Sequence, residues 1–216
     1  MLIPLFQKQR VTRIAAGENH VLAVCQTGQV FSWGCGELGR LGTGDEDDRF
    51  SPTPVLIDVS KVENLVKIVD VAAGADNSML ITDEGKVFAA GSNEFNKNGL
   101  AYSCSFKSDS ANDLAAAGLK NTFDTPCTLK FTLVKPLLRY RIKQIAAGKT
   151  HTGAITQSGH LVTFGCNKCG QLGLGDTKPR PRAVSLVAGS LSGKQVRYSN
   201  IRIILTLIYF NHSILY

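Results

Sequence analysis

The chain has 216 residues, 44% of them hydrophobic and 19% charged, which is enough apolar material for a globular core and argues against a disordered segment. Its formal charge of +7 invites a nucleic-acid reading, but the basic residues are scattered, so nucleic-acid binding is not expected. With 21 glycines against 7 prolines, the composition suits short strands joined by tight turns and gives little support for helices.

The opening segment, Met1 to Phe6 and then Gln7, Lys8, Gln9 and Arg10, lacks the apolar run and cleavage site of a secretory signal. The expectation is an intracellular chain, in the cytoplasm or the nucleus, with its six cysteines as free thiols. A repeat then begins, and its first copy runs ungapped from Ile14-Ala15-Ala16-Gly17 to Gly42. After the Ala-Ala-Gly signature come a strand expected over His20 to Cys25, a turn at Gln26-Thr27-Gly28-Gln29, a second strand over Val30 to Trp33, and then Gly34. Asp45-Glu46-Asp47-Asp48, partly offset by Arg49, reads as a solvated connecting loop, and Thr53 to Ile57 is a candidate fourth strand.

The second copy runs from Val71-Ala72-Ala73-Gly74 to Gly99. It has strands expected over Asn77 to Thr82 and Val87 to Ala90, the turn glycine Gly85, and Gly91 in the place of Gly34. A polar stretch from Tyr102 to Pro126 follows, readable either as a partner-binding loop or as a tolerated insertion. Phe131 to Val134 is the candidate fourth strand here. The third copy runs from Ile145-Ala146-Ala147-Gly148 to Gly173, with strands over His151 to Thr156 and Leu161 to Phe164 around Gly159, then Gly165. From residue 14 to 71 is 57 residues and from 71 to 145 is 74, so all the variation falls in the connections. Arg139, Arg141 and Lys143 alternate, as do Lys178, Arg180 and Arg182, and each trio reads as a charged sheet edge or loop.

One short antiparallel sheet cannot bury both its faces, whereas sheets stacked about an axis can. The fold class is therefore all-β: an incomplete β-propeller of about three blades, each a four-stranded antiparallel sheet. Residues 1–195 form the propeller part, with repeats over about 11–58, 66–134 and 142–195. The twelve matched glycines, Gly17, Gly28, Gly34, Gly42, Gly74, Gly85, Gly91, Gly99, Gly148, Gly159, Gly165 and Gly173, are read as structural. So are His20, Asn77 and His151, which share one repeat position. Asn cannot act as a general base, so a blade-to-blade or loop-anchoring hydrogen bond is the expected role. Cys166-Asn167-Lys168-Cys169 has no second cysteine pair, and both cysteines are read as core packing, with Cys169 in the slot of Leu38 and Phe95. Gly34-Cys35-Gly36 and Gly170 to Gly175 lack the Gly-Lys-Ser/Thr ending of a phosphate loop. No metal, cofactor or catalytic residue is assigned.

The order Ala-Ala-Gly, His, hairpin glycine, aromatic-Gly, then Gly170-Gln171-Leu172-Gly173-Leu174-Gly175 resembles the repeat of the regulator of chromosome condensation family, whose complete members are seven-bladed propellers. The second copy departs from it with Asn98, where Leu41 and Leu172 stand. Gly91 to Lys97, Phe131 to Leu133, Gly148 to Thr152, Thr163 to Gly173 and Gly193 to Val196 look like the propeller that certain NimA-related mitotic kinases carry behind their catalytic domain. That resemblance implies a non-enzymatic, protein-binding propeller that restrains a kinase domain, in cis in a longer chain. The founding branch implies an alternative, nucleotide exchange on a small Ran-type GTPase with chromatin association.

Residues 196–216 break the pattern with an apolar tail rich in Ile, Leu, Tyr, Phe and Asn. Arg202, Asn211 and His212 interrupt it, so no membrane span is expected. A translated intron or truncated gene model is the expectation for its origin. Ile203 to Phe210 has the composition of an aggregation-prone strand. Three blades also leave two terminal sheets without neighbours, so marginal stability is expected of the isolated chain.

Overall fold

The computed structural model describes residues 3, 6, 9–60, 67–100, 127–178 and 180–185. The described residues form three four-stranded antiparallel sheets, each meandering in chain order. The first contains β1 (Val11–Ala16), β2 (His20–Cys25), β3 (Val30–Gly34) and β4 (Arg49–Pro54). The second contains β5 (Ile68–Ala73), β6 (Asn77–Thr82), β7 (Val87–Ser92) and β8 (Cys127–Leu133). The third contains β9 (Ile142–Ala147), β10 (His151–Thr156), β11 (Leu161–Gly165) and β12 (Arg180–Ser185). These are the blades of a partial propeller, with β1, β5 and β9 innermost.

The copies share register as well as order. His20 pairs with Gly34, Asn77 with Gly91 and His151 with Gly165, while four residues further along Val24 pairs with Val30, Ile81 with Val87 and Ile155 with Leu161. The hairpins close at Gly28, Gly85 and Gly159, whose φ angles of 87°, 79° and 83° lie in the left-handed region that favours glycine. Each inner strand also carries an irregularity near its start, between Val11 and Arg13 and between Ile68 and Asp70, with its counterpart opposite Ile155 and Thr156.

The core lies between blades. Leu22, Val24 and Val30 of blade 1 meet Ile68, Val71, Leu80 and Phe88 of blade 2. Met79, Ile81 and Val87 of blade 2 meet Ile142, Ile145, Ala154 and Phe164 of blade 3. The repeat makes the contribution of each contact visible: Val71 and Ile145 are 7% and 6% exposed against a preceding blade, whereas Ile14, at the same position in blade 1, is 62% exposed.

Three expectations need correction. The fourth strands begin earlier than Thr53 and Phe131, because β4 pairs with β3 back to Arg49 opposite Gly34, and β8 with β7 back to Cys127 opposite Ser92. Val55 still donates to the Val30 carbonyl of β3, but Leu56 and Ile57 do not continue the strand: Leu56 bonds to the Gly42 carbonyl, and Ile57 forms a parallel bridge with Phe131. Arg139 and Arg141 do not share a strand with Lys143, since a short 3₁₀ turn over Lys135–Leu137 containing Pro136 precedes β9, which starts at Ile142. The 102–126 loop, the end of the third repeat beyond Ser185 and the 196–216 tail lie outside the described residues.

Candidate functional site: the joints between blades

His20 opens β2, and its Nε2 lies 2.8 Å from Ser78 Oγ across the joint with blade 2. Ser78 Oγ in turn donates to the Arg40 carbonyl at 2.6 Å. A hydroxyl has one proton, and Ser78 spends it on Arg40, so the imidazole must be the donor and carries its proton on Nε2. Nδ1 is left buried without a partner. Burial drives the His20 pKa down to about 4, reinforced by the nearby Arg40 charge and opposed by Asp76. The ring is therefore neutral at pH 7.

The second joint repeats the pattern. Thr152, at the repeat position of Ser78, donates to the carbonyl of Lys97, at the position of Arg40, over 2.6 Å. The cations bridge likewise: Arg40 Nη1 donates to the Ala75 carbonyl at 3.4 Å, and Lys97 Nζ to the equivalent Lys149 carbonyl at 3.2 Å. Lys97 is 1% exposed and also bonds Asp76 Oδ1 at 2.5 Å, which compensates its buried charge.

The polar residue at the 20, 77 and 151 position therefore behaves differently in each copy. His20 reaches the next blade. Asn77 turns inward, donating to Asn98 Oδ1 at 2.7 Å, and Asn98 Nδ2 reaches the Ala90 and Gly91 carbonyls. This accounts for Asn98 in a leucine slot. In blades 1 and 3 the Leu41 and Leu172 carbonyls instead accept from Ser32 and Thr163 hydroxyls, and blade 2 has Ala89 at that position. His151 is buried, which lowers its pKa, and its Nε2 has no partner.

Gly17, Gly74 and Gly148 sit beside these side chains. A Cβ on Gly17 would strike the His20 imidazole and the Gly74 carbonyl, one on Gly74 the Asn77 amide and the Gly148 carbonyl, and one on Gly148 the His151 ring. The signature glycine and the polar residue three positions later thus occupy one crowded spot near the axis. Gly34, Gly91 and Gly165 lie in the last two residues of β3, β7 and β11 with φ of 107°, 95° and 109°, and Gly42, Gly99 and Gly173 close the next turn. The three signatures line an axial concavity of about 340 Å³, whose lining also includes Glu18 and Lys149.

Cys166 is buried, but Cys169 is exposed, contrary to the core role read for it. The Leu38 and Phe95 slot is a turn position with φ of 61° and 56°, only half buried, so its hydrocarbon is not core. Among the described residues no cluster of three or more metal-ligating side chains occurs. No helix among them is long and apolar enough to cross a membrane. Sequence reading missed the joint residues Arg40, Lys97, Ser78 and Thr152. The signal was present as matched columns: a cation 23 residues after each signature glycine in the first two copies, and a hydroxyl directly after Asn77 and His151.

Models of the regulator of chromosome condensation (RCC1) repeat match residues 27–81 and 158–198, and a second set matches 11–40, 68–97 and 142–171. The serine/threonine-protein kinase Nek9 of Mus musculus is 44% identical over 199 residues, covering 91% of this chain and 18% of the kinase. The Xenopus laevis kinase of the same name is 42% identical over the same length, covering 19% of that protein. The chain thus spans less than a fifth of these kinases. Among solved structures, Prp20p of Saccharomyces cerevisiae superposes with a TM-score of 0.63 at 21% identity, covering 84% of this chain and 39% of that one.

Proposed function

Because the chain belongs to the regulator of chromosome condensation repeat family, we propose that it is a protein-interaction propeller segment whose partner is a NimA-related serine/threonine kinase, which it restrains. The observation that carries this reading is the 44% identity over 91% of the chain to a kinase of that group. The relation is local to the propeller: none of the glycine loop, catalytic Asp loop or Asp-Phe-Gly of a kinase occurs in these 216 residues, so catalysis belongs to the partner. A cis arrangement in a longer polypeptide fits the small share of the kinases that is matched. The working compartment is the cytoplasm or nucleus.

Co-purification of the full chain with an isolated NimA-related kinase domain tests the reading. Retention together with a lowered phosphorylation rate is the expected result. A kinase domain neither retained nor slowed at high micromolar chain overturns it. The second reading, exchange on a Ran-type GTPase with chromatin association, is supported by the shared fold with Prp20p, studied for its binding to Gsp1p and histones. Acceleration of labelled-GDP release from such a GTPase would favour that reading instead.

A further inference from the structure

At one end of blade 3 the segment leading into β9 meets the turn between β10 and β11 around a pocket of about 310 Å³. Arg139 and Arg141 line it from the segment, and Thr156, Gln157, Ser158 and His160 from the turn. The Gln157 N–H ties the two together, donating to the Arg141 carbonyl at 2.7 Å. Each side is also held from behind. The Arg139 guanidinium lies over the Tyr140 ring, 4.8 Å from its centroid, and Tyr140 packs on the core between blades 2 and 3. On the turn, Thr156 is 4% exposed, and its hydroxyl oxygen accepts the His160 N–H at 3.0 Å. That oxygen lies 2.8 Å from Ser158 Oγ, which lies 2.9 Å from His160 Nδ1. With Nδ1 engaged, Nε2 is the imidazole nitrogen available to a ligand.

Blade 2 differs at the matching positions. Asp83, Glu84 and Lys86 stand where blade 3 has Gln157, Ser158 and His160, and Glu84 bonds Lys86 at 2.6 Å. Blade 3 lacks those acids but has a cation before its inner strand, Arg141 at the position of Lys67. No carboxylate is among the residues that line its pocket. Glu84 acts on Arg141 from the neighbouring turn, but it is already committed: Lys86 chiefly, and Arg141 less, hold its carboxyl below the usual range.

We propose that this pocket binds the phosphoryl group of a phosphoserine or phosphothreonine on a partner protein, with Arg139 and Arg141 as its charge partners. In the bound state the hydroxyl relay runs from Thr156 to Ser158 to His160 Nδ1, which sets the ring proton on Nε2 as a further donor. Guanidinium groups pair bidentately with phosphate oxygens, and a monoester dianion gains more from two of them than a singly charged diester does. The volume is at the lower end of the range for ligand sites, room for one phosphorylated side chain. A nucleic-acid backbone fits worse, because a string of phosphates needs a run of cations and Glu84 flanks this pair. The inference holds whichever protein the propeller serves.

NMR titration of the full chain with a short peptide of alanines around one phosphoserine tests the pocket directly. The amide signals of Gln157, Ser158 and His160 are expected to move and saturate at millimolar phosphopeptide, and to stay in place with the unphosphorylated peptide. Arg141→Gln is expected to weaken binding about ten-fold, and Glu84→Gln, which removes a competing charge, to tighten it. If Arg141→Gln does not fold, Arg139→Gln and Glu84→Gln supply the comparison. Unmoved signals, binding indifferent to the phosphate, or affinities that none of these substitutions changes would defeat the proposal. So would inorganic phosphate bound as tightly as the phosphopeptide, which would reassign the pocket to the free ion. A thymidine oligonucleotide bound more tightly at the same residues would reassign it to nucleic acid and count equally against it.

Discussion

Ser78 gives its one proton to the Arg40 carbonyl and accepts the His20 Nε2–H on its oxygen. Ser78→Ala strands both the Arg40 carbonyl and the His20 Nε2–H in a buried joint, and is expected to cost about 1–3 kcal/mol, read as a lowered urea midpoint. Ser78→Thr, the residue used at position 152, is expected to cost far less. The buried histidine gives a pH signature with a definite sign. His20 has a folded pKa of about 4 against an ordinary 6.5, so between those values the unfolded chain takes up a proton that the folded one refuses. Stability is expected to fall as pH drops through that window, by on the order of 3 kcal/mol for His20. His151 shifts in the same direction and adds to it. Urea titrations at pH 7 and pH 5 should show the loss, and His20→Asn, the residue of the second copy, should shrink it. A His20→Asn chain with unchanged acid sensitivity would contradict the assignment. The sequence disclosed that positions 20, 77 and 151 are equivalent and polar. It did not disclose that only His20 crosses the joint, because Ser78 is 58 residues away and its alignment on His20 depends on how two blades stack.

At the level of elements, hairpins and register were legible and outer strands were not. A turn such as Asp83-Glu84-Gly85-Lys86 between apolar runs is a local signal, and β6 and β7 form on either side of it. β4 and β8 have partly polar sequences with prolines or lysine, and pairing with β3 and β7 decides their limits. The hairpin turns also act beyond their own blade. Gly85 accepts from Ile142 N at 3.0 Å, and a Cβ there would sit 2.9 Å from the Ile142 backbone. Gly175, by contrast, has φ of 80° with nothing within 4 Å. Gly175→Ala is therefore expected to cost only about 1–2 kcal/mol of backbone strain, while Gly85→Ala carries that strain and also pushes blade 3 from blade 2. Chemical denaturation of the two variants compares them directly, and equal losses would argue against the turn's part in the joint.

For the described residues as a whole, the extensive contacts between blades join neighbours, β1 and β2 to β5 and β5 and β6 to β9, so stability approximates the sum of three blades and two joints. Val11 and Ile14 remain 36% and 62% exposed on blade 1, while their counterparts Ile68, Val71, Ile142 and Ile145 are buried. Apolar positions left uncovered in this way favour association as concentration rises. Thermal melting across a hundred-fold range of protein concentration is expected to show a shifting midpoint. A cooperative monomer transition independent of concentration would instead show that blade 1 needs no neighbour. The repeat made the stacking legible from the sequence, because Ile14, Val71 and Ile145 fall in one column; which of them lacks cover is a property of the assembled blades.

The inter-blade hydroxyls have a fixed direction: in both joints the later blade donates to the earlier. The Arg40 carbonyl waits for a donor 38 residues downstream, and that of Lys97 for one 55 residues downstream. At about 5–20 residues per second on the ribosome, each nascent blade spends several seconds with a carbonyl lacking its mate. Biosynthesis therefore runs as a ratchet in which every arriving blade locks the one before it, and a stalled or shortened message always leaves its last blade unlatched.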